Sequence, residues 1–108
     1  MVGVVQAGQE GLADLRAVID RIDRDIVALL AERVRCLDQV IVVKARDNLP
    51  AAIPERIEGV VANVRGEAEA AGMPPDLAEA LWRRLIDWSI AYEDRRLGGA
   101  GNSSVKSW

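Results

Sequence analysis

From Leu12 to Arg46 no glycine or proline interrupts the chain, and apolar side chains recur at Leu15, Ile19, Ile22, Ile26, Leu29, Leu30, Leu37, Val40 and Ile41. Spacings of three and four residues gather these on one side of a helix, so the pattern predicts one long amphipathic helix. Asn48, Leu49 and Pro50 break it. A second helix is expected to open at Pro54, which suits a first helical position, and to close before Gly72, a natural C-terminal cap. Pro74 and Pro75 punctuate the next join, and Asp76 with Glu79 suits the positive end of a third helix running to about Leu97. The predicted fold class is therefore all-α, with three helices, one long and two shorter. Around the helical domain, residues 12–97, the expected organisation is a flexible N-terminus, 1–11, and a Gly- and Ser-rich disordered tail, 98–108.

The length of the first helix carries its own implication. About 35 residues at 1.5 Å each extend roughly 50 Å, whereas a compact globule of this size has a radius of gyration near 13 Å. One subunit cannot cover such a helix. Its apolar stripe needs a partner along its length, and an intertwined homodimer is the simplest supply.

Composition narrows the chemistry. The 108 residues are 50% hydrophobic and 29% charged, as in an ordinary folded domain. With 14 basic and 17 acidic residues the net charge is −3, so nucleic acid is an unexpected partner. An anionic ligand would have to be held by a few local cations. There is no histidine and a single cysteine, Cys36, which disfavours zinc and His-based catalysis. No apolar run reaches the roughly 18 residues of a membrane span, and residues 1–11 carry no secretory pattern. The expectations are a cytoplasmic protein with no membrane association.

The informative residues break the apolar stripe. In the heptad-spaced row Leu12, Ile19, Ile26, Arg33, Val40, a guanidinium stands where an aliphatic side chain is expected, and Lys44 continues the neighbouring row after Leu30 and Leu37. A buried charge is costly unless paired, so each implies an acidic partner or a bound anion. Arg33 and Lys44 are close to three turns apart on one face, about 16 Å along the axis. Arg16 lies about 42 Å from Lys44 on the same helix, too far to share a small ligand within one subunit. An antiparallel partner helix would bring it to the other chain's Arg33 and Lys44. On the last helix Trp82, Ile86, Ser89 and Glu93 follow one face that turns polar at its end. Cys36, in the row Leu15, Ile22, Leu29, Cys36, Val43, is expected to be a small core residue, because no histidine is present to activate it. Arg83-Arg84 and Arg95-Arg96 read as solvated faces, and Trp82 and Trp88 as packing residues.

Taken in order, Leu15-Arg16, Ile19-Asp20-Arg21-Ile22-Asp23, Leu29-Leu30-Ala31-Glu32-Arg33, Lys44, Ile53-Pro54-Glu55-Arg56, and then Ser89 and Glu93 resemble the all-helical chorismate mutases and the related isochorismate-pyruvate lyases across roughly Leu12 to Leu97. The resemblance implies an isomerase converting chorismate to prephenate in aromatic amino-acid biosynthesis without a metal or cofactor, built as an intertwined homodimer in which Arg16 serves the partner's site. It implies that Arg16 and Arg33 bind the two substrate carboxylates, that Lys44 donates to the ether oxygen of the breaking bond, that Glu55 accepts from the ring hydroxyl and that Ser89 assists near a carboxylate. Glu93 stands where many relatives carry glutamine, a neutral donor. An ionised carboxylate cannot donate, so Glu93 is expected to work protonated, favoured by desolvation. Two alternatives stay open. The proline in Ile53-Pro54-Glu55-Arg56 is similar to the lyases, which release pyruvate from isochorismate to give salicylate, and a catalytically idle chain would instead regulate another shikimate-pathway enzyme.

Overall fold

The computed structural model of the protein describes the backbone of residues 11–106 and the side chains of residues 11–98. All regular structure among the described residues is helical: α1 is Leu12–Arg46, α2 is Pro54–Ala71 and α3 is Pro75–Lys106. The ends of α1 and α2 and the start of α3 fall where the spacing of apolar residues, Pro54, Gly72 and Pro75 placed them. The chain divides into two compact units, residues 1–35 and 36–108, and α1 spans the division. Among the described residues no helix is long and apolar enough to cross a membrane.

The first unit consists of the N-terminal part of α1, entered from Gly11, whose carbonyl accepts from the Asp14 and Leu15 amides. Its apolar row is bare. Leu12, Ile19, Ile22, Ile26, Val27 and Leu29 are all exposed, Leu29 to 66%. Of the expected flexible segment, residues 1–10 lie outside the described residues.

In the second unit α2 packs against α3. Val61 and Ala68 from α2 meet the face of α3 that carries Ala78 and Ile86, all buried, with Ile41 of α1 and Ala51 of the α1–α2 loop completing the core. Alanines at this seam let two backbones approach closely, while each fully buried Val or Ile contributes about 1.5–3 kcal/mol. The outer edge of the same seam is tied by charge. Arg83 of α3 donates to both oxygens of Glu58 on α2, at 3.0 and 3.3 Å, and at 2.7 Å to Glu79 one turn before it. Arg65 of α2 donates to Asp76 and Glu79.

Two helix ends use the same backbone device. After α2, Gly72 takes a left-handed φ of 81°, its amide donates to Glu69 and the Met73 amide to Ala68, a Schellman closure that satisfies carbonyls otherwise left open. After α1 the left-handed residue is Asn48, at φ 59°. Its amide donates to Ala45 and that of Leu49 to Lys44.

The structure departs from the sequence reading at the end of α3. The helix passes Leu97 and continues to Lys106, so residues 98–106 of the expected disordered tail have helical backbone, and 107–108 lie outside the described residues. No proline follows Pro75, so every later residue keeps its amide for the helical ladder, and glycine weakens a helix by about 1 kcal/mol without barring it.

The ion pairs of the α2–α3 seam make stability depend on pH. Hydrogen bonds from Arg83 hold the carboxyls of Glu58 and Glu79 below their ordinary value of 4.5. A carboxyl shifted down on folding stabilises the fold above its unfolded value, and that contribution is lost as pH falls through the folded value. Glu58 is exposed and Glu79 only half-buried, so the effect is modest. Acidifying from neutrality to below about pH 4 is expected to lower the melting temperature of the wild type more than that of Arg83→Met, as followed by circular dichroism.

Candidate active site

The polar end of the α3 face faces inward. Ile86, Ser89 and Glu93 are buried, and Trp82, on the same face, is half-buried. The 3.6-residue period that turns Ala78 and Ile86 toward the core carries Ser89 and Glu93 with them, one turn apart. The Ser89 hydroxyl donates at 2.8 Å to the carbonyl of Leu85, a bond back to the preceding turn that satisfies its proton within the helix.

Glu93 meets a cation. The Lys44 ammonium, from the last turn of α1, lies 2.8 Å from Glu93 Oε1, and the two side chains are 14% and 7% exposed. Lys44 also donates at 2.8 Å to the carbonyl of Ala51. Its charge is thus neutralised by one group and its hydrogen-bonding shared with a second, as a nearly buried ammonium requires. Lys44 and Glu93 are both candidates from sequence, and the structure puts them in contact; the pairing joins residues too far apart in the chain for helical spacing to reveal it.

A second set of side chains joins the end of α1 to α3. The Tyr92 hydroxyl donates to Asp38 at 2.6 Å, a bond that raises the phenol above its ordinary range. Trp88 stacks on Tyr92 with ring centroids 4.9 Å apart. The Arg96 guanidinium lies 4.3 Å from the Tyr92 ring centre and 3.9 Å from Asp38. Neither Asp38 nor Tyr92 was singled out from sequence, because Asp38 reads as a solvated helix position and a lone tyrosine carries no pattern. Arg83 and Arg96 are exposed as expected, but each is engaged by neighbours rather than merely solvated.

Two pockets have Lys44 and Leu49 in their walls. One pocket of about 470 Å³ has Lys44, Asn48, Leu49, Ala51, Asp94 and Leu97 among its walls. Another, of about 460 Å³, is lined by Cys36, Gln39, Val40, Val43, Lys44 and Leu49. Cys36 is exposed, which corrects its expected place in the core: the row to which it belongs runs along the uncovered side of α1, where Leu29 and Val43 are exposed too.

The other sequence candidates fall apart by unit. Arg16, exposed, and Arg33, half-buried, belong to the first unit, and Lys44, Glu55, Ser89 and Glu93 to the second. The structure brings Lys44 to Glu93, with Ser89 on the same buried face of α3. Glu55, in the first turn of α2, is exposed.

Residues 15–94 match the family described as chorismate mutase type II. The chain belongs to this family. Similarity extends to a T-protein of Enterobacter agglomerans, 42% identical over 83 residues, which covers 77% of this chain and 22% of that protein. An isochorismate pyruvate lyase of Pseudomonas aeruginosa is 38% identical over 84 residues, covering 77% of this chain and 81% of the lyase. A bifunctional chorismate mutase/prephenate dehydratase of Aquifex aeolicus is 29% identical over 89 residues, covering 80% of this chain and 25% of that enzyme. The chain thus spans less than a quarter of the length of the T-protein, and most of the length of the lyase.

Removing one member of a nearly buried ion pair strands the other. Lys44→Ala and Glu93→Ala are each expected to destabilise the fold by more than half of the double variant's effect, with a coupling of about 1–3 kcal/mol from urea unfolding. Simple additivity would show that the pair contributes nothing to folding.

Proposed function

We propose that the chain is a chorismate mutase, catalysing the rearrangement of chorismate to prephenate. The observation that carries this reading is the nearly buried Lys44–Glu93 pair in a chain of the type II family. The reaction breaks an ether C–O bond and forms a C–C bond within one molecule, so the protein has two tasks. It holds the compact conformer in which the bonding carbons meet, and it sets donors at the ether oxygen as negative charge gathers there. Neither task requires a nucleophile.

In this reading Lys44, itself nearly buried, donates to the ether oxygen, and a fixed charge acts most strongly where water is excluded. Glu93 accepts from Lys44 through Oε1 and, as its counter-charge, holds the ammonium beside the ether oxygen. Arg16 and Arg33 take the two carboxylates, for which the forked guanidinium is suited. Glu55 accepts from the ring hydroxyl and Ser89 lies near a carboxylate. The working form is an intertwined homodimer in which Arg16 completes the partner's site. The exposed row of Leu12, Ile19, Ile22, Ile26 and Leu29 supports this assembly, since a second copy of α1 would cover apolar surface that the chain leaves in water.

A second reading is favoured by one comparison. The Pseudomonas aeruginosa isochorismate pyruvate lyase is matched along most of its own length, and Pro54 of this chain fits the lyase pattern. The same pocket would then expel pyruvate from isochorismate.

Product analysis after separate incubation with chorismate and isochorismate decides between them. Efficient formation of prephenate is expected; salicylate and pyruvate with feeble mutase turnover would transfer the assignment to the lyase. Lys44→Ala is expected to lower kcat about 100- to 1,000-fold with the fold kept, the usual cost of one lost donor at a developing oxyanion.

The shared site makes a further outcome measurable. Arg16→Ala and Lys44→Ala, each nearly inactive alone, are expected to recover roughly a quarter of wild-type activity when unfolded and refolded together in equal amounts, because half the dimers then hold one intact site. No recovery would place Arg16 in the site of its own chain or outside it.

A further inference from the structure

Lys44 occupies a special place in the backbone as well as in the site. In the Schellman closure of α1 the left-handed residue is Asn48, and the carbonyl that accepts from the Leu49 amide at 2.8 Å is that of Lys44 itself. Three residues after Asn48 the chain presents the Ala51 carbonyl to the Lys44 ammonium, also at 2.8 Å. Ala51 is buried, so this carbonyl sits at a fixed point of the core. The chain therefore leaves Lys44 through its backbone, turns at Asn48, and returns to hold the same residue by its side chain.

An ammonium has three N–H donors in tetrahedral array. Ala51 takes one and Glu93 a second, and the third has no partner among the described residues. Two fixed acceptors set the direction of the third donor. A lysine side chain is otherwise a flexible tether with about 2 kcal/mol of rotamer entropy, poorly suited to aiming at a single oxygen.

We propose that residues 48–51 are a positioning clip for Lys44, in which the left-handed backbone of Asn48 delivers the Ala51 carbonyl that, with Glu93, aims the remaining N–H of Lys44 at the reacting oxygen. This rests on Lys44 acting as the donor in the proposed reaction. Asn48 is a positioning residue: its exposed side chain is dispensable, and its part is to favour a positive φ. Asparagine and glycine adopt that conformation readily, whereas a β-branched residue does not. Asparagine also leaves the unfolded loop fewer conformations than glycine would.

The test compares Asn48→Gly, Asn48→Ala and Asn48→Val in the wild type and in Lys44→Ala, with steady-state kinetics on chorismate and isochorismate. Displacement by about 1 Å of a catalytic group costs up to 100-fold. Asn48→Val is therefore expected to lose about 10- to 100-fold in kcat with KM within about threefold, and Asn48→Ala to lie between it and the wild type. Asn48→Gly is expected to keep kcat within about threefold, since its backbone conformation is allowed. In the Lys44→Ala background all three should turn over alike, because the clip has nothing left to aim. Equal slowing by Asn48→Gly and Asn48→Val would make the asparagine side chain a substrate contact and overturn the clip. So would slowing by Asn48→Val of the same factor with or without Lys44, which a general loss of folding would produce; Asn48→Ala, the milder strain, gives the same readout should the valine variant unfold. If Lys44→Ala matches the wild type, the proposed role of Lys44 itself fails, whatever the Asn48 variants do.

Discussion

An ammonium withdrawn from water must be neutralised where it sits, and at Lys44 that requirement organises the second unit. Its neutralising carboxylate comes from α3 and its second acceptor from the loop before α2. The demand of one charge therefore ties three parts of the chain to one point. In the interior such a pair stabilises little in net terms, because desolvation of both ions offsets most of their attraction. What it supplies is geometry: two charges held at a defined separation, next to open volume, in surroundings where their fields are weakly screened.

The supports around that point differ in kind. The α2–α3 seam is a packed apolar contact with small side chains at its centre and an Arg–Glu network along its exposed edge. The end of α1 is joined to α3 by long polar and aromatic side chains, Lys44 to Glu93 and Asp38 to Tyr92, which span a distance that apolar contact does not fill. Pockets lie beside Lys44. A tightly packed pair of helices would hold the ammonium more firmly and leave a substrate no room.

How legible each residue was depended on whether its surroundings are local. Ser89 and Glu93 were recoverable because their spacing from Trp82 and Ile86 turns them to the same side as the core, and one helix suffices to show it. Arg33 and Lys44 stood out because a cation in an apolar row demands an explanation. Cys36 misled: its heptad row looks like core, yet a row on a helix is buried only where something covers it, and α1 leaves this one exposed. The end of α3 misled in the opposite direction, since glycine and serine lower helix propensity without removing any backbone donor.

The sequence by itself determined the three helices, the joins at Asn48, Gly72 and the prolines, and the identity of the charges that interrupt the apolar stripe, because these follow from periods, caps and the missing amide of proline, all properties of a few neighbouring residues. It did not determine that Lys44 and Glu93 would be partners across 49 positions, that Ala51 would offer its carbonyl to the same ammonium, or that Tyr92 would reach Asp38. Those contacts depend on the angle and depth at which whole helices meet, and that is decided by the summed packing of Ile41, Val61, Ala68, Ala78 and Ile86 rather than by any residue that makes the contact.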